Sequence, residues 1–156
     1  MSFSISKKME GSVLVIDING NIDEDAAFSP VELGPASAVV IDLDKVSAIN
    51  SVGIREWIRW IKEIPSTVAL SVRRCPKIIV DQINMVAGFL PKGTQVASFY
   101  VPYYCDGSGS EKMVLFENGK EFKGKDINPP SEVKDEGGEV MEMDVIPAKY
   151  FKFLNG

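Results

Sequence analysis

Over residues 39–64 the chain reads VVIDLDKVSAINSVGIREWIRWIKEI. Val39, Val40, Ile41 and Leu43 make a nearly continuous apolar run, interrupted only by Asp42, and such runs suit a central strand covered on both faces. The polar Asn50-Ser51 pair and Gly53 then break the pattern. After them Ile54, Trp57, Ile58 and Ile61 recur at helical spacing, with Arg55, Glu56, Arg59, Lys62 and Glu63 on the remaining surface. This is an amphipathic helix, ended by Pro65. The stretch is therefore a strand, a turn and a helix.

The same pattern continues on both sides. Residues 13–18 form a β-branched strand, followed by the turn-like Asn19-Gly20-Asn21. Asp23, Glu24 and Asp25 read as the acidic start of a weak helix stopped near Pro30, where they would oppose the positive end of the helix dipole. Residues 29–36 read as loop. Residues 68–72 form a third strand. Residues 76–86 form a helix with Pro76 near its first position and Ile79, Ile83 and Val86 on its inner face. Residues 95–101 are a fourth strand. Alternation of this kind predicts an α/β fold with parallel neighbours joined by right-handed crossovers. Beyond Pro102 the apolar runs shorten, which divides the chain into a domain over 1–102 and a small β-rich C-terminal appendage over 103–156. Asn118-Gly119, lying between Phe116 and Phe122, predicts a hairpin. Residues 128–138 are expected to be the most mobile loop.

Bulk composition narrows the function. A net charge of −5 argues against general nucleic-acid binding, which needs clustered Lys and Arg. With no histidine and only Cys75 and Cys105 as thiols, neither a Ser-His-Asp nor a Cys-His centre can be built from this chain, so a non-enzymatic role is expected. There is no secreted disulfide framework. The start, MSFSISKKMEG, lacks an apolar leader core, and no run approaches the roughly 20 apolar residues of a membrane helix. A cytoplasmic protein without membrane contact is the expectation.

Residues 39–64, with Asn50-Ser51-Val52-Gly53 at the turn, resemble the core of a STAS domain, the sulfate-transporter and anti-sigma-factor-antagonist module. The likeness covers about residues 12–101 and implies a mixed sheet with helices packed on it. Many members are switches phosphorylated by a kinase-like anti-sigma partner, at the hydroxyl residue just before the glycine. A phosphate there gains from the helix N-terminus and alters a partner surface by nearly two charges. Here Val52 holds the acceptor position and Asn50 the acidic one, so the resemblance implies a docking edge without the switch. Asn50 and Ser51 are expected to cap the helix, and Gly53 to permit tight packing. The expected partner-binding residues are Asn50, Ser51, Val52, Gly53, Arg55, Glu56 and Arg59. The implied partner is a protein, an anti-sigma kinase-like one or, as a homodimer, a second copy. The alternative is a domain sensing a small nucleotide or anion beside the same helix start.

The other reactive residues carry less. Cys75 follows Arg73-Arg74 at a helix start, where a thiol can be activated, but a buried apolar role is the expectation. Asp42 and Asp44 read as a solvated strand end. Cys105-Asp106-Gly107-Ser108 and the residues before Gly137-Gly138 resemble the knuckles of a zinc-ribbon tail. That resemblance places Cys105, Ser108, Val133 and Glu136 at ligand positions. With one thiolate remaining, it implies a metal-free relic with no cofactor, held by Tyr103, Tyr104, Phe116, Tyr150, Phe151 and Phe153.

Overall fold

The computed structural model describes residues 2–155. It has the mixed α/β content expected, built on a five-stranded sheet whose strands lie in chain order. The edge strand β1 (Ser4–Glu10) pairs antiparallel with β2 (Val13–Ile22). β1 is mostly exposed and alternation-poor, so nothing in its residues announced a strand; its Lys7 and Lys8 suit an edge that resists pairing with other chains. β2 continues four residues past Ile18, running through the Asn19-Gly20-Asn21 segment expected to end it. The turn signal is real but marks bulging: the register against β3 shifts between Asp17 and Asn19 and again between Gly20 and Asn21.

The weak helix expected from Asp23 does not form. Asp23 instead closes a local turn, its Oδ1 accepting from the Asp25 amide at 2.9 Å and its carbonyl from the Ala26 amide at 3.1 Å. Short acidic side chains compete with helix geometry in this way. Residues 26–33 then run without regular structure, and Phe28 packs on Phe3, Trp57 and Trp60.

β3 (Ala38–Ile49) is parallel to β2 along its length and to β4 (Ala69–Arg73) up to the Asp42–Arg73 pair, after which β3 continues alone beside β2. Helix α1 (Ser51–Ile61) follows as expected. Its buried face holds Gly53, Trp57, Trp60 and Ile61, whereas Ile54 and Ile58 are only half-buried. The face is turned toward Trp60 because the preceding loop covers that side, and the Trp60 indole N–H donates to the Ser29 carbonyl at 2.8 Å. Helix α2 (Lys77–Met85) has Pro76 as its N-cap, one position earlier than expected, and buries Ile79 and Val80.

The strand expected over 95–101 is broken in two at Ala97. β5 (Gln95–Val96) completes the parallel sheet, while β6 (Ser98–Tyr104) belongs to a second, antiparallel sheet with β7 (Glu111–Glu117), β10 (Val133–Lys134) and β11 (Val140–Met143). Ala97 serves both: its N–H donates to the Val72 carbonyl at 2.8 Å, and its carbonyl accepts from the Asn118 amide at 2.9 Å. A Cys75–Phe99 bridge stitches the two sheets. The division at 102/103 thus falls inside β6. Buried residues from Leu14 to Phe151 form one hydrophobic cluster that crosses it.

The appendage is β-rich, but its hairpins differ from those expected. β7 returns along β6 from Glu111 to Glu117, so its turn lies at residues 105–110. Asn118-Gly119 instead starts a tight loop closed by the Gly119 amide on the Phe122 carbonyl at 2.7 Å. Beyond it β8 (Phe122–Lys123) pairs with β9 (Asp126–Ile127). Helix α3 (Pro147–Tyr150) and a closing 3-10 turn (Lys152–Asn155) return the chain to α2. There Asn84 donates to the Tyr150 carbonyl and accepts from the Phe153 amide, both at 2.9 Å. Of the six aromatic residues expected to pack the appendage, Tyr103, Phe116, Tyr150 and Phe151 are buried, and Phe153 meets Phe99 edge-on.

Candidate functional site

The turn between β3 and α1 is held from three sides. Asn50 is the N-cap, extended at φ −115°, and its Oδ1 accepts from the Gly53 amide at 2.9 Å. Its own amide donates to the Ile22 carbonyl at 3.2 Å, and its Nδ2 donates to Glu24 Oε2 at 2.8 Å. That hydrogen bond draws the Glu24 carboxyl below its ordinary value. A carboxylate therefore stands at this turn after all, supplied by Glu24 from 26 residues away. Nothing in the spacing announces it.

Ser51 does not cap. It is the first helical residue, and it is exposed. Gly53 is buried where the helix meets the end of β2, and a Cβ on it would lie 1.9 Å from the Ile22 carbonyl oxygen. Val52 and Glu56 are half-buried, while Arg55 and Arg59 are exposed. Arg59 Nη1 lies 3.4 Å from Glu56 Oε1. An exposed i,i+3 pair of this kind contributes only a few tenths of a kcal/mol, so its charges remain available for recognition. The structure places Asn50 and Ser51 at the helix start and Arg55 and Glu56 one turn on, whereas Arg59 lies in the last turn of α1.

A second polar cluster sits where β4 ends beside β3. Asp42, expected at a solvated strand end, is 3% exposed. Its Oδ2 accepts from Arg73 Nε at 2.9 Å and from Arg74 Nη2 at 2.7 Å, and its Oδ1 accepts from the Asp44 amide at 3.0 Å. Arg74 Nη1 also lies 3.5 Å from Asp44, whose carboxylate accepts the Tyr100 hydroxyl. Arg74 has φ +51°, a left-handed conformation uncommon outside glycine, and its amide donates to Ser98 Oγ at 2.8 Å. Burial pushes the Tyr100 hydroxyl up to about 12, assisted by Asp44. Asp42 and Arg73 are register partners, but the adjacent arginines of the sequence do not reveal which carboxylate they hold.

Burial works to raise the Asp42 carboxyl, but hydrogen bonds from Arg74, the Asp44 amide and Arg73 outweigh it, and the pKa is lowered. A depressed folded-state pKa contributes stability that is present above the unfolded value of about 4 and is lost as pH falls through the folded value. In Asp42→Asn that contribution disappears. Acid titrations followed by circular dichroism should show a shallower loss of stability below about pH 4 than in the unaltered chain. Equal slopes would remove Asp42 from the account.

Cys75 is fully buried, and burial, reinforced by the Asp42 charge, pushes its thiol far up. It is the inert apolar residue expected. Cys105 is buried at the start of the β6–β7 turn, which also carries Ser108. The opposite side differs. Val133 belongs to the hydrophobic core, where an apolar side chain offers no ligand atom, and Glu136 is exposed. Asp135 and Glu139 face it instead: Cys105 Sγ lies 3.2 Å from Glu139 Oε2, and Ser108 Oγ donates to Asp135 Oδ2 at 2.6 Å.

A cavity of about 630 Å3 lies between α2 and α3 and is lined by Lys77, Asp81, Asn84, Asp144, Lys149 and Lys152 among others. None of the turn residues 50–59 lines it. Among the described residues no helix is long and apolar enough to cross a membrane. No protein-family model matches the chain, and no curated protein matches it either.

Proposed function

We propose that this chain is a STAS-like, non-enzymatic regulatory or scaffolding module that acts by protein–protein contact, as in bacterial anti-sigma-antagonist signalling. The observation that supports the reading is the β3–α1 turn. Asn50, Glu24 and the Ile22 carbonyl hold it by hydrogen bonds, while Ser51 and Arg55 are exposed beside it and Arg59 is exposed at the far end of the same helix. A preorganised turn with exposed side chains loses little entropy on docking, and its charges select the partner. With Val52 at the acceptor position, docking is constitutive rather than switched by phosphate.

Val52→Asp tests this by placing a negative charge where a phosphate would sit. We expect the variant to keep its thermal midpoint within a few degrees while co-purification of its protein partner falls at least ten-fold. Undiminished capture would take the turn out of the interface. Stoichiometric phosphate on Ser51 in the native protein would equally end the constitutive reading. The second reading, sensing of a nucleotide or anion, draws on Lys149 and Lys152 in the α2–α3 cavity, where Lys77 is already paired with Asp81 and Asp144 adds a second carboxylate. It places recognition away from the turn, so Val52→Asp would leave ligand-induced thermal stabilisation unchanged.

A further inference from the structure

The two turns of the C-terminal sheet bring four donor groups to one place. Cys105 and Ser108 come from the β6–β7 turn, and Asp135 and Glu139 from the β10–β11 turn. The ligand atoms of Cys105, Asp135 and Glu139 all lie within 4.8 Å of one another. In a tetrahedral site with bonds of about 2.3 Å to sulfur and about 2.0 Å to oxygen, neighbouring ligands stand roughly 3.3–3.6 Å apart. The observed Sγ to Oε2 separation of 3.2 Å is close to that edge. Ser108 Oγ, 2.6 Å from Asp135 Oδ2, lies beside the set where a hydroxyl or a water would complete the shell.

Each turn is braced independently. The Gly109 amide donates to the Cys105 carbonyl at 2.8 Å and the Cys105 amide to the Ser110 carbonyl at 3.0 Å. Across from it, the Glu139 amide donates to Asp135 Oδ1 at 2.9 Å and the Asp135 amide to the Glu139 carbonyl at 2.9 Å. The turns approach closely at Gly107, where a Cβ would stand 2.8 Å from Glu139 Oε2, the movable end of a side chain, and 3.9 Å from Cys105 Sγ.

Charge is the second consideration. Among the described residues no lysine or arginine forms an ion pair with Asp135 or Glu139. Lys112, on the neighbouring strand, donates instead to the Lys134 carbonyl. Cys105 is 7% exposed, and the polar side chain its sulfur meets is the Glu139 carboxylate. The fold thus brings a buried thiol together with two solvent-reached carboxylates. The thiol donates to Glu139, Asp135 accepts from Ser108 and the Glu139 amide, and neither carboxylate is ion-paired among the described residues. A divalent cation seated there would take the place of the thiol proton and pair with both carboxylates.

We propose that Cys105, Asp135 and Glu139, with Ser108 or water as the fourth donor, form a binding site for a divalent transition metal of the zinc type. The thiol selects a borderline-soft ion over magnesium or calcium, which take oxygen ligands in larger number. On binding, the Sγ–H bond breaks, its proton leaves to solvent, and the sulfur lone pair coordinates the metal. Affinity therefore falls as pH is lowered. The expectation of a metal-free tail counted thiolates at knuckle positions; the oxygen ligands lie at Asp135 and Glu139, outside those positions.

The test is a Co2+ titration of the reduced, chelator-treated full chain, followed by absorption and then by Zn2+ competition. The expected result is one Co2+ per chain with a thiolate-to-metal charge-transfer band, abolished by equimolar Zn2+. Cys105→Ser should lose the band, and Glu139→Gln and Asp135→Asn should each weaken binding at least ten-fold. Zn2+ should raise the thermal midpoint of the unaltered chain but not of these variants. Absence of the band, or a band of unchanged strength in both carboxylate variants, would overturn the site. The carboxylate variants keep the test decisive should Cys105→Ser fold poorly, since Glu139 is exposed.

Discussion

Phe99→Ala should lower the stability of the whole chain by about 3–5 kcal/mol, the range for truncating a large buried aromatic, in a single unfolding transition. Phe99 is fully buried at the point where the two sheets join, bridged to Cys75 and register-paired with Phe116. Its ring meets Phe116, Phe122, Tyr150, Phe151 and Phe153 at centroid distances of 5.1 to 6.3 Å. All of those partners come from the appendage, whereas its backbone neighbour Cys75 comes from the α/β half. Truncation opens a cavity that elements from both halves would have to fill. Urea unfolding followed by the fluorescence of Trp57 and Trp60 reports the first half, and hydrogen exchange of the β7 and β11 amides reports the second. The two should give coincident midpoints, both displaced by the substitution. If the β7 and β11 amides opened at lower urea while the tryptophan signal stayed in place, the C-terminal sheet would be a separate cooperative unit.

Gly53→Ala should cost about 3 kcal/mol or more, at the upper end for overpacking. The added methyl would stand 1.9 Å from the Ile22 oxygen, 2.5 Å from its carbonyl carbon and 3.0 Å from the Asp23 nitrogen. All three obstacles are backbone, so no rotamer change relieves the clash. Helix α1 must lift from β2, which stretches the Asn50 amide from the Ile22 carbonyl and loosens the Asn50 cap. Helix propensity works the other way, favouring alanine over glycine by about 1 kcal/mol inside a helix, so a net loss identifies the close approach as the cause. Gly137→Ala is the control: its nearest neighbour is a side-chain oxygen at 3.5 Å, and the change should stay within about 0.5 kcal/mol. Chemical denaturation of the two variants makes the comparison. A Gly53→Ala protein as stable as the unaltered chain would show that the helix start can move freely.

The two substitutions also bear on different levels of the proposed function. Loosening α1 would remove the preorganisation on which the proposed docking through Ser51 and Arg55 rests. Cutting Phe99 tests whether the turn and the Cys105 cluster share one rigid scaffold. Since β6 carries Cys105 just beyond its end and begins beside the parallel sheet, a cooperative fold would let occupancy of one region stiffen the other.

Much of the α/β half was legible from residue order alone. Strands β3 and β4, helices α1 and α2, and the cap at Asn50 follow from patterns that repeat within a few residues, because burial on a helix or strand face recurs every 3.6 or 2 positions. The Asn19-Gly20-Asn21 and Asp23-Glu24-Asp25 segments were legible only as interruptions. Whether an interruption becomes a bulge, a turn or a helix start depends on what lies alongside, here β3 for the first and the Asn50–Gly53 turn for the second. The same limit governs the sites. Asn50 and Gly53 could be recognised at the turn, but Glu24 joins them across 26 residues. Asp42 meets Arg74 across 32 residues, and Cys105 meets Glu139 across 34. Local sequence determined which residues would form elements and cap them. Tertiary structure alone decided which polar groups meet, because a hydrogen bond or an ion pair is set by distance in space, and spacing along the chain carries no record of it.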